Sequence, residues 1–269
     1  MLRGIREYIS GCEIRILDKD DVELLEFIKT DKTVIEILKL ISEKTKKPKI
    51  KIKTIQKNKI ETGNSGTCEG KIEVDGDKCT IEMTSENRSL KFIHEILHFY
   101  MQLFGNLDKV DIDMEEIYLI YEKKLNNNQI EHNVREIIRV IDTLIHHLLM
   151  LDYTEKFKID KDLFYGRKGL EELSERNDLN KILKILEQTD VLLINNLTYI
   201  ENLKNNSLAI YEASKELYEK IKNNPKDESF VENYKNIFNI IINFCKEYSS
   251  VNNFVNAEQK IFNYITIKD

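Results

Sequence analysis

Residues 71–98 read KIEVDGDKCTIEMTSENRSLKFIHEILH, and a change of period inside this stretch decides the fold class. Lys71-Ile72-Glu73-Val74 and Lys78 to Met83 alternate apolar and polar residues around Asp75-Gly76. A tight hairpin turn favours positive φ, which glycine tolerates, so this spacing predicts an antiparallel hairpin. From Ser85 onward the apolar residues return every three or four positions, as on an amphipathic helix. Leu90 to Phe104 is therefore expected to be one helix, with Gly105 as its stop.

Working outward, Lys49-Ile50-Lys51-Ile52-Lys53-Thr54-Ile55 alternates strictly and predicts a half-buried strand. A small antiparallel sheet over residues 49–83 is the expectation. The basic run from Lys44 to Lys53 is expected to be a solvated linker and edge strand, its charges discouraging edge pairing. Val22 to Ile28 and Val34 to Ile41 predict two short helices broken near Thr30-Asp31. Beyond Gly105 the pattern stays helical: Met114 to Lys124, Gln129 to Leu151, a looser segment from Asp152 to Arg167, then runs near 168–187, 190–203, 207–222, 229–247 and 254–266. Asn pairs at 205–206, 223–224 and 252–253 mark expected breaks. The chain is thus expected to be α+β. A small antiparallel sheet and the helix at 90–104 would lie in a domain of residues 1–165, and a mainly helical region would fill 166–269.

Composition narrows the function classes. The 269 residues carry a net charge of -6, the opposite sign to a general nucleic-acid binder, so no nucleic-acid partner is expected. No run of about 18 uncharged apolar residues exists, so no membrane span is expected. Charges interrupt the N-terminal stretch MLRGIREYISGCEIR where a signal peptide would be apolar, which makes the cytoplasm the expected location. Cys12, Cys68, Cys79 and Cys245 are scattered without a CxxC pair, and reduced thiols are expected rather than a four-Cys zinc site.

The chemistry is concentrated in His94-Glu95-Ile96-Leu97-His98, an HExxH sequence inside the predicted helix. Positions i and i+4 bring both imidazoles to one helix face, where they can grip a single zinc ion. Glu95 lies beside that face and can act as general base toward a zinc-activated water. Phe92, Ile93, Ile96, Leu97 and Phe99 would bury this helix, and buried histidines need partners. All five histidines, His94, His98, His132, His146 and His147, fall within residues 94–147.

Strand, hairpin, HExxH helix and glycine stop together resemble the zincin metallopeptidases over about residues 45–155. The resemblance implies one zinc ion, a peptide or protein substrate received along an edge strand, and hydrolysis with Glu95 as base. The extended metzincin motif HExxHxxGxxH is excluded, because Met101 and Phe104 stand at its last two marked places. The thermolysin-like ExxxD context has no clean match. The third ligand is expected from helix 129–151, whose polar stripe comprises His132, Glu136, Arg139, Asp142 or Thr143, and His146. The run Ile141 to His147 resembles one found downstream of HExxH in bacterial and phage-type metallopeptidases. That resemblance favours His146, with Asp142 as an alternative ligand or an orienting carboxylate. Glu131, in a run faintly similar to one in the ImmA/IrrE peptidases, is the rival, and Glu115, Glu136 and His147 are further alternatives. Two other functions remain open at this point: a binding or regulatory module on a zincin scaffold, and a non-peptide amide hydrolase. The C-terminal helices could shape the cleft, bind a partner or hold the enzyme inactive.

Overall fold

The computed structural model describes residues 4–18, 21–55, 60–62, 66–68, 70–105, 109–121, 127–159, 178–194, 207–252 and 256–268. It is α+β, with a five-stranded sheet and a helical C-terminal region. The described chain forms two compact units. One holds the residues up to Phe104 together with the stretch from Asp152 to Ile159; the other holds Gly105–Leu151 and the elements from Asp178 onward.

The first unit opens with a hairpin that the periodicity reading did not anticipate, β1 (Ile5–Ile9) and β2 (Cys12–Ile16). Its turn residues Ser10 and Gly11 both have positive φ, 50° and 86°, as a two-residue hairpin loop of this kind requires. Helices α1 (Val22–Thr30) and α2 (Lys32–Lys44) follow and are separated at Asp31. The Asp31 carboxylate caps α2 by accepting from the Val34 amide at 3.0 Å. Then come β3 (Lys49–Ile55), a small separate hairpin of β4 (Ile60–Thr62) and β5 (Gly66–Cys68), and the strands β6 (Gly70–Asp75) and β7 (Lys78–Thr84). The β6–β7 hairpin turns at Gly76, where φ is 56°. Helix α3 (Arg88–Gly105) carries the HExxH residues and ends at the glycine that the sequence marked.

The sheet order is β1-β2-β3-β7-β6. β3 runs parallel to both β2 and β7, while the two outer pairs are antiparallel. This corrects two expectations: the sheet is mixed, and β3 is its central strand rather than an edge. The helix pair between β2 and β3 supplies the long connection that parallel neighbours need. Ile14, Ile16, Ile50, Ile52, Ile81 and Met83 are buried on one face. Lys49, Lys51 and Lys53 alternate with them onto the other. Asp21, just before α1, is 2 % exposed. It accepts a hydrogen bond from Thr54 Oγ1 at 2.9 Å and pairs with Arg88 at the first residue of α3, so the end of β3 and the start of the HExxH helix share one anchor.

The second unit contains α4 (Met114–Tyr121), most of α5 (Asn127–Lys156), α6 (Asp178–Ile194), α7 (Leu208–Lys222), α8 (Phe230–Val251) and α9 (Asn256–Asn263). Ile137, Ile141, Leu144, Leu186, Leu217, Phe238, Ile241 and Phe262 lie in its common core. A short antiparallel pair, β8 (Val110–Ile112) with β9 (Ile265–Ile267), joins its two ends, so the run expected to be helical to 266 stops at Asn263. The break expected near 187–190 is absent. α6 runs through it with Gln188, Thr189 and Asp190 buried, and Thr189 Oγ1 donates to the Ile185 carbonyl at 2.7 Å. Of the looser segment read at 152–167, the part up to Lys156 is helical and continues α5, while residues 160–167 and the Asn pair at 205–206 lie outside the described residues. Among the described residues, no helix is long and apolar enough to cross a membrane.

Candidate metal centre

On α3 the i, i+4 spacing does what helix geometry requires of it. The His94 and His98 rings lie edge to face with their Nε2 atoms 3.0 Å apart. Two nitrogens bound to one tetrahedral zinc at about 2.0–2.1 Å would stand about 3.3 Å apart, close to this separation. Both rings are half-buried, while Phe92, Ile96, Leu97 and Phe99 around them are fully buried. Glu95, 6 % exposed, lies against the start of β6. A Cβ placed on Gly70 would stand 2.4 Å from Glu95 Oε1, so the bare Gly70 backbone makes room for the carboxylate. β6 is an edge strand, and its first residue thus lies against the candidate base.

The third histidine is His147. His94, His98 and His147 each offer a ligand atom, and these atoms all lie within 4.8 Å of one another. The structure therefore holds a three-histidine cluster able to bind a metal ion. His147 is buried, and its Nδ1–H donates to the carboxylate of Asp190 on α6 at 2.7 Å, with both side chains at most 4 % exposed. An ionised carboxylate only accepts, so the contact places the ring proton on Nδ1. Histidines that ligate metals are commonly oriented by a carboxylate in this way. The donor set, three imidazoles with one already oriented, suits a divalent transition-metal ion.

The expected third ligand, His146, is placed elsewhere. Its Nε2 lies 3.3 Å from Asp142 Oδ1 on the same helix, and the same carboxylate oxygen accepts from the Tyr234 hydroxyl at 3.0 Å. A Cβ on Gly105 would come within 3.3 Å of His146 Nε2 and 3.1 Å of the Tyr234 ring, so this group is closely packed. Burial holds the His146 pKa below its ordinary value, and the Asp142 charge opposes that shift. Asp142 thus stands beside His146, but both belong to a packing contact with Tyr234. The other candidates are also paired outside the cluster: Glu131 with Arg135 at 2.6 Å and Tyr118 at 3.4 Å, and Glu136 with Arg139 at 2.6 Å. The His132 side chain lies outside the described residues.

One physical reason accounts for the step from 146 to 147. The sequence reading divided helix 129–151 into one apolar and one polar face. In the structure Val134, Ile137, Ile138, Val140, Ile141, Leu144, Ile145 and Met150 are all buried, so apolar burial extends around much of the helix. A polar stripe on such a helix does not identify its functional side, and adjacent residues point about 100° apart. Asp190 was missed altogether. In the sequence it closes a polar run, Glu187 to Asp190, just before the apolar Val191 to Ile194, so its spacing reads as the solvated face of a helix and gives no signal of the burial that demands a partner. Comparison with protein-family models, curated proteins and solved structures finds no match for this chain.

Proposed function

We propose that the protein is a zinc-dependent hydrolase of peptide bonds, with His94, His98 and His147 as the metal ligands and Glu95 as the general base. The observation that carries the proposal is the third imidazole. HExxH supplies two ligands and a carboxylate by spacing alone, and His147 joins them from a helix distant in sequence. Zinc held there would supply Lewis acidity toward the scissile carbonyl and lower the pKa of a coordinated water. Glu95 takes the proton from the attacking water and delivers it to the leaving nitrogen. Asp190 keeps the His147 ring in one orientation and tautomer. A peptide substrate is favoured over a small amide because the edge strand β6 begins against Glu95, where an extended backbone can add to the sheet.

The test is metal content and turnover together. The purified chain is expected to hold about one zinc per chain, or to take it up on addition, and to cleave an unfolded protein substrate. Glu95→Gln keeps the metal and lowers turnover at least ~100-fold. A metal-free chain that takes up no zinc removes the site. A loaded chain whose Glu95→Gln variant is fully active removes Glu95 from the chemistry, and a loaded chain inert toward unfolded proteins removes the assigned substrate.

A further inference from the structure

The open face of the sheet carries a second chemistry, which the overall charge of -6 conceals. Strand register places Arg15 directly opposite Lys51, and Lys49 between Lys78 on β7 and Glu13 on β2. Lys49 and Lys51 are two apart on β3, so the four cations form one block across β2, β3 and β7. Directly opposed like charges destabilise a sheet, so this arrangement works against folding. Elsewhere on the same face, charges are matched: Arg6 pairs with Glu13 at 3.1 Å, Lys53 with Glu82 at 2.8 Å and Lys71 with Glu73 at 2.5 Å. Among the described residues, Arg15, Lys49, Lys51 and Lys78 have no carboxylate within the 4.0 Å of an ion pair. Asp75 stands opposite Lys78 in register without closing one. The block is concave, with a depression of about 380 Å³ lined by Arg6, Arg15, Lys49, Lys51 and Lys78 and one carboxylate, Glu13. At its β1 margin Tyr8 projects from the same face, 69 % exposed, its hydroxyl donating to Glu13 at 3.2 Å.

We infer that this face binds single-stranded nucleic acid. The unpaired cations suit a phosphate backbone, and bound phosphates relieve the repulsion that the register imposes. The exposed Tyr8 ring offers a stacking surface for a base, which an acidic polypeptide would not use. Sheet faces that combine cations with an exposed aromatic ring are a recurrent platform for unpaired bases. This surface is separate from the histidine cluster, and the inference stands whether or not the chain is a hydrolase.

Fluorescence anisotropy of a labelled mixed-sequence oligonucleotide of about twelve nucleotides, as RNA and as DNA, tests it on the full-length chain at rising salt. Expected is saturable binding whose log affinity falls with log salt at a slope near −2.8, about −0.7 for each of four contacts. The double variant Lys49→Gln/Lys51→Gln reduces that slope by about 1.4, and Arg15→Gln alone by about 0.7. Tyr8→Ala weakens binding roughly tenfold at fixed salt and leaves the slope unchanged. RNA preferred over DNA, or the reverse, assigns the strand type within the same inference. No saturable binding at about 50 mM salt overturns it. So does a salt slope unchanged in the folded variants, indifference to Tyr8→Ala, or displacement by polyglutamate as complete as by unlabelled oligonucleotide.

Discussion

Replacing Asp190 by alanine separates the proposed ligand set from the one favoured by the sequence. The carboxylate accepts from His147 Nδ1 at 2.7 Å, in the charge-assisted range, with both partners at most 4 % exposed. A hydrogen bond to a charged group contributes about 1.5–3 kcal/mol. Loss of an orienting partner typically lowers metal affinity 10–100-fold, or about 1.4–2.7 kcal/mol. The two magnitudes agree, so zinc affinity should fall by one to two orders of magnitude in Asp190→Ala. Asp190→Asn can still accept through its amide oxygen but lacks the charge, and should lose roughly tenfold. Competition against a chromophoric chelator measures both, with circular dichroism verifying the fold. An Asp190→Ala protein that is folded and binds zinc within twofold of the parent refutes the assignment of His147 as an oriented ligand.

Three further outcomes follow from the same coordinates. His146→Ala should leave zinc affinity unchanged but lower stability by about 1–3 kcal/mol in urea unfolding, because Asp142 loses a buried neighbour; a large loss of metal would restore His146 as a ligand. Gly70→Ala should keep its melting temperature within a few degrees yet reduce turnover about 10–100-fold, since the new Cβ displaces the flexible end of Glu95; unchanged kinetics would show that the position of Glu95 is not critical. Burial pushes the Cys12 thiol from 9.0 up to about 12 and the Cys245 thiol likewise, so both stay protonated in the fold. Their contribution to stability is complete below pH 9 and is lost as pH rises toward 12, because the unfolded thiols ionise first. Unfolding followed across that window should show the decline, and rapid labelling of Cys12 and Cys245 by a thiol reagent at pH 8 in the native state would contradict their burial.

The parts of the fold legible in the sequence were those governed by local period. The β6–β7 hairpin, α2 with its start at Asp31, and α3 with its glycine stop each follow from alternation, capping or helical spacing within a few residues. Strand order was not legible. The alternation of Lys49 to Ile55 fits a central strand as well as an edge strand, and only the partners on both sides decide between them. The hairpin at Ile5–Ile16 carried a Ser10-Gly11 turn signal, but the alternation of its first strand is blurred by Glu7 and Tyr8, which put a charge on the inward side and an aromatic ring on the outward one. The candidate site divides along the same line. His94, Glu95 and His98 are fixed relative to one another by a single helix. His147 and Asp190 depend on how helices pack, and buried helices with apolar residues on several sides do not declare which polar residue faces inward.

The spacing of the cluster along the chain bears on its synthesis. Translation delivers His94 and His98 first, His147 later, and Asp190 a further 43 residues on. A chain still on the ribosome therefore carries an incomplete histidine set through much of its elongation, and its third imidazole can rotate freely until α6 has emerged and packed. Were a metal taken up there, its capture would be ordered in time: HExxH alone would offer two imidazoles, and the complete, oriented set would form only in a chain whose helical region had folded. A truncated product ending before residue 178 would retain HExxH and His147 but lack the carboxylate that holds that imidazole in place.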